Sequence, residues 1–126
     1  MCHIPGALYP VREPYISGLK GLYTKNERVI THLETVFGPV AIIAIAAINV
    51  GNMTLAYDNS FSTHYFHLKK RIKNYTKQIE LNQLDHLASF HLGSTVVCLF
   101  PKNKIKWEPL RIEQPITYGS TIARLS

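Results

Sequence analysis

Long apolar runs, cysteine and acidic charge are all scarce in this sequence, and each shortage removes a class of protein. The longest apolar stretch, Val40 to Ile48, is nine residues, whereas a helix that crosses a bilayer needs about 20, so no transmembrane segment is predicted. The amino terminus, MCHIPGALYP, has no cationic region followed by an apolar run, so no secretory signal is read and the expected compartment is cytosolic. Cys2 and Cys98 are the only cysteines and have no CxxC spacing, which favours two reduced structural thiols over a disulfide. Eight Asp and Glu face fourteen Lys and Arg, a formal charge of +6. That balance favours anionic partners such as phosphate backbones or lipid headgroups. Charged residues reach only 17% and hydrophobic residues 46%, too apolar for a disordered chain. At 126 residues the chain has room for one core.

Gly and Pro set the organisation. Pro5, Gly6, Pro10, Pro14, Gly18 and Gly21 leave no space for a helix of ordinary length in residues 1 to 26, which read as loop and short strand. Glu27 to Val36 and Val40 to Val50 read as two strands joined by a turn at Phe37-Gly38-Pro39. The second of these is apolar on both faces, as expected of a central strand covered on both sides. Met53 to Tyr57 reads as a short strand and Asp58-Asn59-Ser60 as a turn. Residues 63 to 87 show no sustained periodicity and their structure stays open. Thr95 to Phe100 is a β-branched and aromatic run ended by Pro101, Ile105-Lys106-Trp107 begins another extended piece, and the carboxy terminus is strand and turn again. The predicted fold is mainly β with minor α, a short-stranded sheet or sandwich.

Several side chains invite a functional reading. The cationic run Lys69, Lys70, Arg71, Lys73 and Lys77 fits a solvated face, an anionic membrane contact or a nucleic-acid patch. His64 and His67 have helical spacing for metal ligands but no Cys or carboxylate close by, so no metal is expected; His86 and His91 read the same way. The decapeptide HLGSTVVCLF, His91 to Phe100, puts Gly93-Ser94 directly before a β-forming run. Such a turn can hold a strained peptide bond, and a serine that attacks the carbonyl before it needs a small, conformationally permissive residue there. Gly93 meets that need, although a plain turn satisfies the same residues.

Four strings carry a resemblance: HIP at His3 to Pro5, GLYTKNERV at Gly21 to Val29, INVGNMTL at Ile48 to Leu55 and FHLGSTVVCLF at Phe90 to Phe100. In this order they resemble the bacterial-type phosphatidylserine decarboxylases, from the first residues to about Phe100. The resemblance implies a proenzyme whose Gly93-Ser94 bond is cut by its own serine. Residues 1–93 would then form a β-chain part and residues 94–126 the α chain, headed by a covalent pyruvoyl group made from Ser94. Aspartate 1-decarboxylases are also pyruvoyl enzymes, but carry their Gly-Ser bond near the amino terminus. His3 matches the family's catalytic histidine. The family pairs it with an aspartate and the serine, a triad in which His takes the serine proton and Asp orients it. The implied reaction converts phosphatidylserine to phosphatidylethanolamine and carbon dioxide through a Schiff base to the pyruvoyl carbonyl. The implied setting is peripheral, on the cytoplasmic side of the cell membrane. There the basic run could meet anionic lipid at about 1 kcal/mol per cation.

The chain departs from the family in two places. The family's aspartate and amino-terminal helices lie upstream of the segment matching His3, so the chain reads as a carboxy-terminal portion whose partner is its own amino-terminal segment. A Lys-Gly-x-Glu-x-Gly-x-Phe pattern usual before LGST is here Gln83-Leu84-Asp85-His86-Leu87-Ala88-Ser89-Phe90, without either glycine or the glutamate. An inactive fragment is therefore the main rival reading. A small basic nucleic-acid-binding domain is a weaker one, because no aromatic motif of RNA-binding spacing is present, and no nucleic acid is expected. A homo-oligomer stays open.

Overall fold

The protein is described by a computed structural model that covers residues 1–48, 52–63, 69–90 and 95–126. Twelve elements follow along the described chain: β1 (Cys2–Ile4), α1 (Tyr15–Gly18), α2 (Leu22–Lys25), β2 (Arg28–Thr35), β3 (Gly38–Ile45), β4 (Met53–Leu55), β5 (Asp58–Ser62), β6 (Arg71–Ile72), β7 (Ala88–Phe90), β8 (Thr95–Leu99), β9 (Ile105–Trp107) and β10 (Ala123–Leu125). Among the described residues the helices are single turns, as the Pro and Gly spacing of the first 26 residues requires.

A five-stranded antiparallel sheet, ordered β6-β1-β2-β3-β8, forms one layer, and β5-β4-β7 forms a second. The β2–β3 hairpin is the longest pairing, running from Arg28 opposite Ile45 to Thr35 opposite Gly38. Its turn is closed by Gly38 at φ +98° and by the Thr35 hydroxyl, which donates to the Gly38 carbonyl and accepts from Phe37 N–H. A left-handed φ suits glycine because no Cβ crowds the carbonyl. Val29, Ala44 and Ala46 from the first layer meet Met53, Leu55 and Phe61 from the second in one buried cluster. The architecture is therefore the mainly β, sandwich-like arrangement expected. The tail adds a separate β9–β10 ribbon, whose Trp107 packs edge-on against Phe100.

Three local expectations change. Strand β3 is central in its sheet, but Ala41, Ile42 and Ile43 are only half-buried, because the second layer covers one face alone. Asp58 to Ser60 open strand β5 and do not form the turn, which falls at Ala56-Tyr57. The Asp58 carboxylate accepts from the Ser60 N–H and hydroxyl and from Lys73 and Tyr75, a tertiary anchor that overrides the turn propensity of Asp-Asn-Ser. Within the illegible stretch 63–87, Arg71-Ile72 pairs with β1 as an edge strand, and backbone bonds in both directions between Met1 and Lys73 extend that pairing.

Cys2 and Cys98 are both free and half-buried. Two strands, β2 and β3, lie between theirs, so about 14 Å of sheet separates the two chains, well beyond a disulfide's reach. Burial pushes the Cys98 thiol up from its ordinary range.

Candidate active site

The first strand is held to the start of the second by an unusually close backbone approach. A Cβ added to Gly6 would stand 2.4 Å from the Lys25 carbonyl oxygen and 2.7 Å from Glu27 N, so only glycine fits where the chain leaves β1. Ala7 N–H donates to the Lys25 carbonyl and Glu27 N–H to the Ala7 carbonyl. Asn26, wholly buried, accepts from Tyr9 N–H and donates to the Tyr9 and Ala46 carbonyls. The side-chain amide thus ties three backbone segments together and satisfies polar groups that burial would otherwise penalise.

This clamp brings the HIP and NERV segments into contact. His3 lies opposite Val29 on β2 and opposite Arg71 on β6. Its side chain is fully buried, with Nε2 2.7 Å from Glu27 Oε1. Arg71 Nε–H donates to His3 Nδ1 at 3.2 Å. The guanidinium also donates to the Ser62 carbonyl at 3.3 Å and covers the Phe61 ring at 4.7 Å, whose edge-to-face contact with His3 spans 5.7 Å between centroids. An imidazole, a carboxyl group and a guanidinium therefore meet around one fully buried ring, where hydrogen bonds that involve charged groups are strongest.

Gly93 and Ser94 lie outside the described residues, as do His64, His67 and His91. Their flanks are described. Phe90 ends β7 opposite Met53 in one layer, and Thr95 opens β8 opposite Ile45 in the other. Ile45 faces Arg28 and Arg28 faces Ile4, so β8 begins at the end of the sheet where β1 leaves and β2 starts. Two strands stand between β1 and β8.

The resemblance implies an orienting aspartate upstream of the chain; within the chain, the contacts of His3 with Glu27 and Arg71 are not foreseen from the sequence. Glu27 sat in plain view inside NERV, but nothing in a linear string says that residues 24 positions apart share a hydrogen bond. In the sequence Arg71 belongs to the cationic run Lys69 to Lys77. The structure corrects that reading for two of the five: Arg71 is spent on His3, and Lys73 bonds the buried Asp58 at 2.7 Å. Lys69, Lys70 and Lys77 are exposed. His86 is occupied locally, its Nε2 against the Ala88 carbonyl and the Ser89 hydroxyl.

A second polar cluster borders the first layer. Desolvation opposes ionisation of the Asp58 carboxyl, but the bonds from Lys73, Ser60 and Tyr75 and the Lys73 charge outweigh it, holding the group well below the usual carboxylate range. Desolvation, together with the bond to Asp58, pushes the Tyr75 phenol up. Burial also raises Tyr57, whose hydroxyl meets Thr31 at 2.6 Å.

The geometry defines a buried His–Glu–Arg cluster on a small β sandwich. A model of the phosphatidylserine decarboxylase family matches residues 1–124, and the chain belongs to that family. It is 33% identical to the phosphatidylserine decarboxylase proenzyme of Saccharophagus degradans over 99% of its length, 33% identical to that of Acidovorax ebreus over 98%, and 32% identical to that of Coxiella burnetii over 100%. It spans only 44 to 45% of those relatives. No solved structure matches it.

Proposed function

We propose that the chain is the carboxy-terminal part of a pyruvoyl-dependent phosphatidylserine decarboxylase, a lyase that matures by cutting its own Gly93-Ser94 bond into residues 1–93 and 94–126. The observation that carries the reading is the meeting of two motifs, HIP and NERV, in one buried contact between His3 and Glu27, within a chain of this family.

In this proposal His3 takes the Ser94 hydroxyl proton while the oxygen attacks the Gly93 carbonyl, converting amide to ester and freeing the Ser94 amine. Elimination then expels the Gly93 carboxylate, and water replaces the nitrogen, releasing ammonia and leaving the ketone. The surroundings suit such a group. Both flanks of the bond are strands fixed in different layers, and the same end of the first sheet carries a buried imidazole with its proton donors and acceptors. The pyruvoyl ketone supplies an electron sink for decarboxylation. His3 would return a proton to the carbon that loses carbon dioxide. The exposed Lys69, Lys70 and Lys77 suit a peripheral position on an anionic, phosphatidylserine-bearing bilayer, on the cytoplasmic side of the membrane. Among the described residues no helix is long and apolar enough to cross one.

The rival reading, a member that no longer matures, draws on Leu84, which stands in a left-handed conformation at φ +72° where the family usually has glycine. One experiment separates them. The chain is produced in a single polypeptide with the segment that precedes it in its relatives and analysed by mass spectrometry. Cleavage after Gly93 is expected, with a pyruvoyl-headed piece starting at position 94 that resists Edman sequencing; Ser94→Ala should stay whole. The processed protein should decarboxylate phosphatidylserine in vesicles, and Lys69→Glu with Lys70→Glu should slow it most at low salt. A correctly folded precursor that stays uncut would sink the enzyme reading.

A further inference from the structure

We propose that Glu27 and Arg71 are positioning residues for His3, fixing its imidazole as the Nε2–H tautomer so that the lone pair sits on Nδ1. The inference rests on the reading of His3 as the base for the Gly93-Ser94 bond, and adds an orienting carboxylate that lies within this chain.

The two neighbours are one-way groups. An ionised carboxylate only accepts, so Nε2 at 2.7 Å from Glu27 Oε1 must carry a proton. A guanidinium only donates, so Nδ1 at 3.2 Å from Arg71 Nε must present a lone pair. The opposite tautomer would set two donors against each other on one side of the ring and two acceptors on the other. Because His3 is fully buried, bulk water is poorly placed to relieve either clash. The ring's tilt is set independently by the edge of Phe61. Arg71 is itself held by the Ser62 carbonyl and the Phe61 face, so the donor on Nδ1 does not wander.

The two supports come from different parts of the fold, Glu27 from the link between α2 and β2 and Arg71 from β6. Glu27 is fixed by the Gly6 approach and by its own backbone bonds to Ala7 and Ala46. Arg71 rides on β6, paired with β1 at His3 itself. With His3 as the base, the Nδ1 lone pair is the proton acceptor, and the serine hydroxyl would have to exchange for the Arg71 bond that holds it at rest. Glu27 then faces the imidazolium that forms, a role that needs its charge and not only its shape.

The test uses the precursor extended by the upstream segment. In the Ser94→Ala form, which stays whole on any reading, NMR of the imidazole nitrogens should show His3 protonated on Nε2. Glu27→Ala should lose that single tautomer. In the cleavable form, Glu27→Gln keeps the volume and one hydrogen bond but no charge, and should slow cleavage at least tenfold with unchanged circular dichroism. Arg71→Lys should retain more of the tautomer than Arg71→Met. An Nδ1–H tautomer in the parent, or Glu27→Gln that cleaves like the parent, overturns the proposal. A parent with the expected tautomer that never cleaves overturns the decarboxylase reading instead, and supports the hold of Glu27 and Arg71 on His3.

Discussion

At the scale of single residues, buried polar groups are the informative ones, because each must find a partner or cost stability. Asp58 shows how this becomes a pH dependence. Its folded carboxyl lies below the ordinary value of 3.8, so the folded state favours the charged form. The stability it contributes is fully present above the unfolded value, and is lost as pH falls through that value towards the lower folded one. Asp58→Asn should therefore lower the unfolding free energy measured in urea at neutral pH by about 1–3 kcal/mol, given that the Lys73 side chain is 46% exposed. The gap to the parent should narrow on acidification below about pH 4. A gap that widens with acid would show that Asp58 is not the group being held.

At the scale of elements, the turn before β7 holds a residue at odds with its backbone conformation. Asn82 and Asp85 close the turn, with Asp85 Oδ2 accepting from Asn82 N–H at 2.6 Å and Asp85 N–H donating to the Asn82 carbonyl at 3.1 Å. Leu84 occupies the left-handed position inside it, with its carbonyl accepting from the Tyr118 hydroxyl. A leucine Cβ is crowded there and a glycine is not. Leu84→Gly should stabilise the chain by about 0.5–1 kcal/mol, since the relief of strain exceeds the extra chain entropy of glycine only modestly. Thermal or urea unfolding reads this directly, and a destabilised variant would mean that the Leu84 side chain, 58% exposed, packs in solution against something. Ala88 inside β7, half-buried against the core, sits without such a conformation.

At the scale of the whole molecule, surface area decides. The chain exposes 9356 Å², whereas a compact monomer of 14.3 kDa exposes about 6,800 Å². Part of the excess is apolar: Val36, Ile72, Ile112, Tyr118 and Leu125 are each more than half exposed, and among the described residues β8 and β6 are the edge strands of the first sheet. Residues 1–126 alone should therefore self-associate at micromolar concentration, measurable by light scattering, and the extended polypeptide should not. A monodisperse, cooperatively unfolding 126-residue monomer would contradict this.

Sequence alone determined the strand content, because β-branched runs bounded by Gly and Pro have few other ways to bury themselves, as at Thr95 to Leu99 and in the β2–β3 hairpin. It also determined the family, since HIP, NERV and LGST carry that resemblance as strings. It did not show which strings touch. That His3 meets Glu27 and Arg71, that Lys73 serves a buried Asp58, and that Asp58-Asn59-Ser60 extends a strand were settled only in the folded chain. Pairing register and the low dielectric of the interior assign each charge a partner there, and neither quantity is written in the order of residues.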